Sequence, residues 1–111
     1  MLSPPTSTTT VLIYDRDGAA TIENLAPRER LAACYRWATA RDLTVLGQVC
    51  GYGGAGMDFA LDALLDQCAS TRAALLVYSR DCLAPDPALV AEVTERLGEL
   101  PILTAREGTA Q

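Results

Sequence analysis

The spacing of apolar residues restricts this chain to one class of fold. Residues 11–14 (VLIY), 43–49 (LTVLGQV), 74–78 (ALLVY) and 101–104 (PILT) are short apolar runs of the length expected for buried strands. Each interval between them holds a segment with helical periodicity. Residues 27–41 bring Leu31, Cys34, Tyr35 and Ala38 to one face and leave Arg28, Arg30, Arg36 and Arg41 for the opposite side. Asp58 is placed to cap a second helix with Leu61, Leu64, Leu65 and Cys68 as its apolar stripe. Asp86 followed by Pro87 starts a third, with Leu89, Val90, Val93 and Leu97 facing inward and Gly98 as its stop. Buried strands alternating with amphipathic helices predict a three-layer α/β/α domain on a mainly parallel four-stranded sheet, over residues 11–104. Residues 1–10 read as a flexible N-terminal tail and 105–111 as a C-terminal tail. In such folds functional groups gather at the carboxyl ends of strands, here residues 15–20, 50–57 and 79–86.

Composition then removes whole classes of chemistry. Among 111 residues there is no histidine, and all nine basic residues are arginine. Ser-His triads, histidine metal ligands, Schiff-base lysines and the P-loop lysine are therefore impossible. A formal net charge of −5 has the wrong sign for neutralising a phosphate backbone, so direct nucleic-acid binding is not expected. Cys34, Cys50, Cys68 and Cys82 are widely spaced with no C-x-x-C pair, which gives little support to a metal site and fits reduced thiols. No basic leader and no apolar run of spanning length is present, and the expected location is cytoplasmic, with no membrane association. The glycines at 51, 53, 54 and 56 lack the lysine of a phosphate cradle, and no cofactor is expected.

Particular residues at the strand ends add a resemblance. Residues 14–18 read Tyr-Asp-Arg-Asp-Gly, residues 45–48 read Val-Leu-Gly-Gln, Asp58 precedes Leu61, Leu64 and Leu65, and residues 81–85 read Asp-Cys-Leu-Ala-Pro. In order and spacing these segments, with Arg30-Leu31 and residues 35–38 between them, resemble the catalytic domain of the serine recombinases, the resolvase and invertase family. That family carries Tyr-x-Arg-x-Ser after its first strand, D-x-x-x-S-G after its second, and D-R-L-x-R after its third. The resemblance implies that Arg16 and Asp81 survive from the catalytic set. It also implies that Gly18 replaces the nucleophilic serine, Gly51 an acidic residue, Ala55 a serine, and Asp58, Cys82 and Pro85 arginines. A serine oxygen attacks the phosphodiester in that family, and arginines stabilise the charge growing on phosphorus. Glycine supplies no nucleophile, and Asp58 would repel phosphate. The family also continues past its last strand into a dimer-forming helix and a DNA reader, which the 111-residue sequence does not contain.

The expectation is thus a catalytically inactive recombinase-like domain with a degenerate site at Arg16, Gly18, Gly51, Asp58, Asp81 and Cys82, acting as a self-associating protein-interaction or regulatory module. A homodimer is one form this would take. Two alternatives remain open. Residues 11–18 are also similar to the hhhhDxDG motif of the haloacid dehalogenase phosphatases. In that case Asp15 would be the nucleophile and Asp17 the general acid of a Mg²⁺-dependent hydrolase, with Asp81 and Asp86 as metal-binding acids. The chain could instead be an accessory subunit of an active DNA recombinase. Simpler roles stand beside these: Arg16 as ion-pair partner of Asp15, Asp17 or Asp81, Tyr35 and Trp37 as packing or as a partner anchor, and Cys50 with Cys82 as a redox pair.

Overall fold

The computed structural model describes residues 9–16, 25–51, 58–83 and 86–106. Four parallel strands, β1 (Thr10–Arg16), β2 (Thr44–Gly51), β3 (Ala74–Val77) and β4 (Ile102–Thr104), form one sheet in the order β2-β1-β3-β4. Helix α1 (Pro27–Ala40) joins the first two strands, α2 (Phe59–Thr71) the next two, and α4 (Pro87–Leu97) leads to the last. A one-turn helix, α3 (Arg80–Leu83), occupies part of the 79–86 stretch after β3.

Strand order decides where the helices lie. The chain moves one way across the sheet from β1 to β2 and the opposite way from β2 through β3 to β4. Crossovers of a single hand must then place α1 on one face and α2 with α4 on the other. The core divides accordingly. Leu12, Tyr14, Leu75 and Val77 pack with Leu61, Leu64, Leu65 and Cys68 of α2 and with Leu89, Val93 and Leu97 of α4. On the opposite face Val11, Ile13, Ala74 and Leu76 pack with Cys34 and Ala38 of α1. β1 and β3 are the central strands, buried on both faces, which is why they read as unbroken apolar runs. β2 lies at the sheet edge, and its exposed Thr44, Leu46, Gln48 and Cys50 alternate with half-buried neighbours. An irregularity opposite Val11 and Leu12 shifts the register within that strand.

Helix ends follow the sequence signals. Asp58 Oδ1 accepts from Leu61 N at 2.6 Å, and Asp86 Oδ1 accepts from Ala88 N at 2.9 Å. Gly98, at φ 63° and ψ −114°, ends α4 in a conformation that side chains disfavour. α1 has no capping side chain, but Glu29 Oε1 takes the Ala26 N–H at 2.8 Å and Pro27 presets the first turn.

Candidate functional site

In an open parallel sheet the crevice lies at the carboxyl ends of the strands where the order reverses, here between β1 and β3. β1 delivers Tyr14, Asp15 and Arg16 to this point on alternating faces. All three are buried, and each is committed to a partner.

Tyr14 points toward α2. Its hydroxyl donates to Asp58 Oδ2 at 2.7 Å while the other oxygen of the same carboxylate caps the helix. Burial first, and then this hydrogen bond, pushes the phenol well above its ordinary value, with Arg16 opposing the shift. Gly51, at the end of β2, makes this arrangement possible. A Cβ there would collide with the Tyr14 hydroxyl and with Asp58 Oδ2. The residue that the resemblance places in an acidic position is thus a clearance for a tyrosine–aspartate hydrogen bond.

Arg16 lies on the same face, 3% exposed, and its Nε and Nη2 donate to the Leu83 carbonyl at 3.1 and 2.9 Å. The guanidinium sits 6.0 Å from the Tyr14 ring centre. Of the three acids expected as ion-pair partners of Arg16, Asp15 forms no pair with it because their side chains leave opposite faces of β1, Asp81 forms none, and Asp17 lies outside the described residues. Asp15 points toward α1 and meets Arg30: Nε to Oδ1 and Nη2 to Oδ2, both at 2.8 Å. The Arg30 guanidinium also donates to the Leu25 carbonyl at 2.7 Å. This fork, with side chains 3% and 11% exposed, raises the arginine's affinity for its proton, chiefly through the hydrogen bond to Asp15.

Arg30 corrects the expectation that it faces solvent. It lies four residues before Cys34 and eight before Ala38, so helical spacing already put it on the inward face. Its charge argued against burial, and only the carboxylate brought by β1 reverses that argument. Charge alone misleads wherever the partner comes from another element.

The remaining predicted positions do not join one constellation. Asp81 is exposed on α3. Cys82 is buried among the α1-side core residues, where burial raises its thiol pKa against the effect of Ser79 Oγ at 3.7 Å. Gly18, Asp17, Ala55 and Pro85 lie outside the described residues. Of the degenerate set, Arg16, Gly51 and Asp58 gather around Tyr14, while Asp81 and Cys82 stand apart. None of the four cysteines is in a disulfide, and Cys50 is exposed while the other three are buried.

For the phosphatase alternative, both Asp15 oxygens are engaged by Arg30, and Asp86 serves α4 as its cap. No three acidic or cysteine side chains form a metal-holding group among the described residues. No described helix is long and apolar enough to cross a membrane. Trp37 is half-buried with the Arg41 guanidinium 4.1 Å from its ring centre, and the Tyr35 hydroxyl donates to Gln48 Oε1 at 2.7 Å. Trp37 is thus stacked against its own helix, and Tyr35 ties α1 to the edge strand β2.

No protein-family model and no curated protein matches the chain. Solved structures do. A resolvase-family site-specific recombinase from Streptococcus pneumoniae aligns with a TM-score of 0.72 at 15% identity, covering 91% of this chain and 74% of the other. The N-terminal catalytic domain of TP901-1 integrase aligns at 0.68 and 19% identity, covering 89% and 78%. The C-terminal catalytic domain of IS1535 TnpA, an IS607-like serine recombinase, aligns at 0.60 and 26% identity, covering 86% and 70%. The sheet order, the helix layers and these likenesses together give this chain the fold of the serine-recombinase catalytic domain.

Proposed function

We propose that this chain is a catalytically inactive recombinase-like domain that works through protein contacts, including contacts with copies of itself. One observation carries the reading. Asp58 stands where the resemblance puts a phosphate-binding arginine, and here it caps α2, holds Tyr14 and leans on the space left by Gly51. A position that serves chemistry in the recombinases is built into this core as a structural tie. The neighbouring polar groups support the same reading: Asp15 is taken up by Arg30, and Arg16 is buried against a backbone carbonyl.

The test combines assembly with activity. Light scattering after size exclusion is expected to find oligomers, and a strictly monomeric chain would remove the self-association. Supercoiled plasmid with Mg²⁺ should stay uncleaved and free of covalently attached protein. Hydrolysis of a phosphate ester that disappears in Asp15→Asn would replace this reading with the phosphatase. Salt-sensitive DNA binding by the chain alone would contradict the charge argument.

A further inference from the structure

The two helical layers carry opposite charge. On the α2 and α4 side, from Asp58 to Glu99 but apart from α3, stand Asp62, Asp66, Asp86, Glu92, Glu95 and Glu99 with the capping Asp58, against Arg72 and Arg96. Over residues 25–42, which form α1 and its ends, the arginines at 28, 36 and 41 stand against Glu29 and Asp42, Arg30 being taken up by the buried Asp15. Arg96 is bound by Asp62 and Asp66, and Arg72 lies 3.9 Å from Glu99. Arg28 and Arg36 on one side, and Asp86, Glu92 and Glu95 on the other, make no ion pair among the described residues.

The two faces share a pattern of small residues beside charged ones. Arg28, Ala32 and Arg36 follow one another on successive turns of α1, all exposed, and line a shallow groove with Leu25, Ala33, Tyr78 and Glu29, whose carboxylate is turned back to the Ala26 N–H. The arginines are ~12 Å apart along the axis, with a methyl group between them. On α4 the exposed rows Ala88–Glu92 and Ala91–Glu95 set small residues beside carboxylates in the same four-residue register. Small residues allow two helices to approach closely enough for the longer charged side chains to reach across.

We infer that copies of this chain associate head to tail, the arginine-lined groove of α1 in one copy receiving the acidic outer face of α4 in the next. The inference rests on the self-association proposed above and specifies its surfaces. Such a contact is heterologous: each copy keeps one donor and one acceptor face, and assembly grows with concentration unless the geometry closes a ring. Its attraction is electrostatic at the rim of both faces, so it weakens as salt shortens the screening length.

The test uses the full chain and two charge-reversed variants, Arg28→Glu with Arg36→Glu, and Glu92→Arg with Glu95→Arg. All four positions are exposed, so folding should persist, which circular dichroism checks. In sedimentation experiments the parent chain is expected to associate at about 50 mM NaCl and ~tenfold or more weakly at about 500 mM. Each variant alone should be monomeric, and an equimolar mixture should associate again, since each reversed face meets its complement on the other variant. Association that survives both reversals, or variants that stay monomeric when mixed, would overturn the head-to-tail contact while leaving self-association standing. A parent chain that is monomeric at every salt concentration would overturn both.

Discussion

Gly51 shows how a single residue type is fixed by its neighbours and not by its backbone. A methyl group there meets the Tyr14 hydroxyl and the Asp58 carboxylate at once, so Gly51→Ala must either displace β2 or break their hydrogen bond. The substitution is expected to destabilise the chain by about 1–3 kcal/mol, read from the urea midpoint. Tyr14→Phe introduced first should shrink that penalty in part, because the hydroxyl is gone while the Asp58 carboxylate and the ring carbon remain; an unchanged penalty would place the collision on those two instead. The Asp15–Arg30 fork makes a second, stronger prediction. Arg30→Met leaves a buried carboxylate unpaired and should lose roughly 3–5 kcal/mol, whereas Asp15→Leu combined with Arg30→Met should lose clearly less, by the same denaturation measurement. Equal losses would mean that the pair contributes as packing and not as charge.

Among the helices, the two aspartate caps differ in what else they hold. Among the described residues Asp86 bonds only within its own helix, so Asp86→Ala is expected to cost about 1 kcal/mol. Asp58 also accepts from a buried phenol, so Asp58→Ala removes a cap and orphans Tyr14, and about 2–3 kcal/mol is expected. Thermal or urea denaturation of the two variants side by side checks the order, and equal effects would deny the Tyr14 contact any weight. The same comparison explains why the helices were legible in the sequence: capping residues, Pro87 and Gly98 act within one turn of the chain, where local pattern is sufficient. The strand at the sheet edge was legible too, but its exposed side was not, since edge position follows from the order in which strands pair.

For the whole molecule, burial of thiols sets its behaviour in alkali. Burial pushes Cys34 up to about 12 and Cys68 up to about 11, and it raises Cys82 and Tyr14 as well. Folded values above unfolded ones mean that the folded state holds these protons more tightly. The stabilisation is complete below the ordinary thiol value of 9.0 and is lost as pH climbs through the range up to about 12. Stability is therefore expected to hold near neutrality and to fall above about pH 9, measured as urea midpoint against pH. A midpoint unchanged to about pH 11 would contradict the burial of these groups. A thiol reagent should label Cys50 rapidly in the folded chain and the other three only on denaturation.

The sequence alone determined the alternation of strands with the three longer helices, the ends of those helices, the three-layer architecture and the absence of histidine and lysine chemistry, but not the one-turn α3. These are properties of periodicity, local backbone preference and composition, which need no knowledge of distant contacts. It also marked Arg16, Gly51 and Asp58 as residues of one region, because strand ends in a parallel sheet converge. Tertiary structure decided what those residues do. Whether Arg30 is a solvated charge or a buried one depends on Asp15, fifteen residues earlier on another element. Asp58 becomes a tie and not merely a cap because Tyr14 reaches it across forty-four residues, through space that only a glycine at 51 leaves open. The energy of a buried polar group is set by its partner, and partners are chosen by the fold.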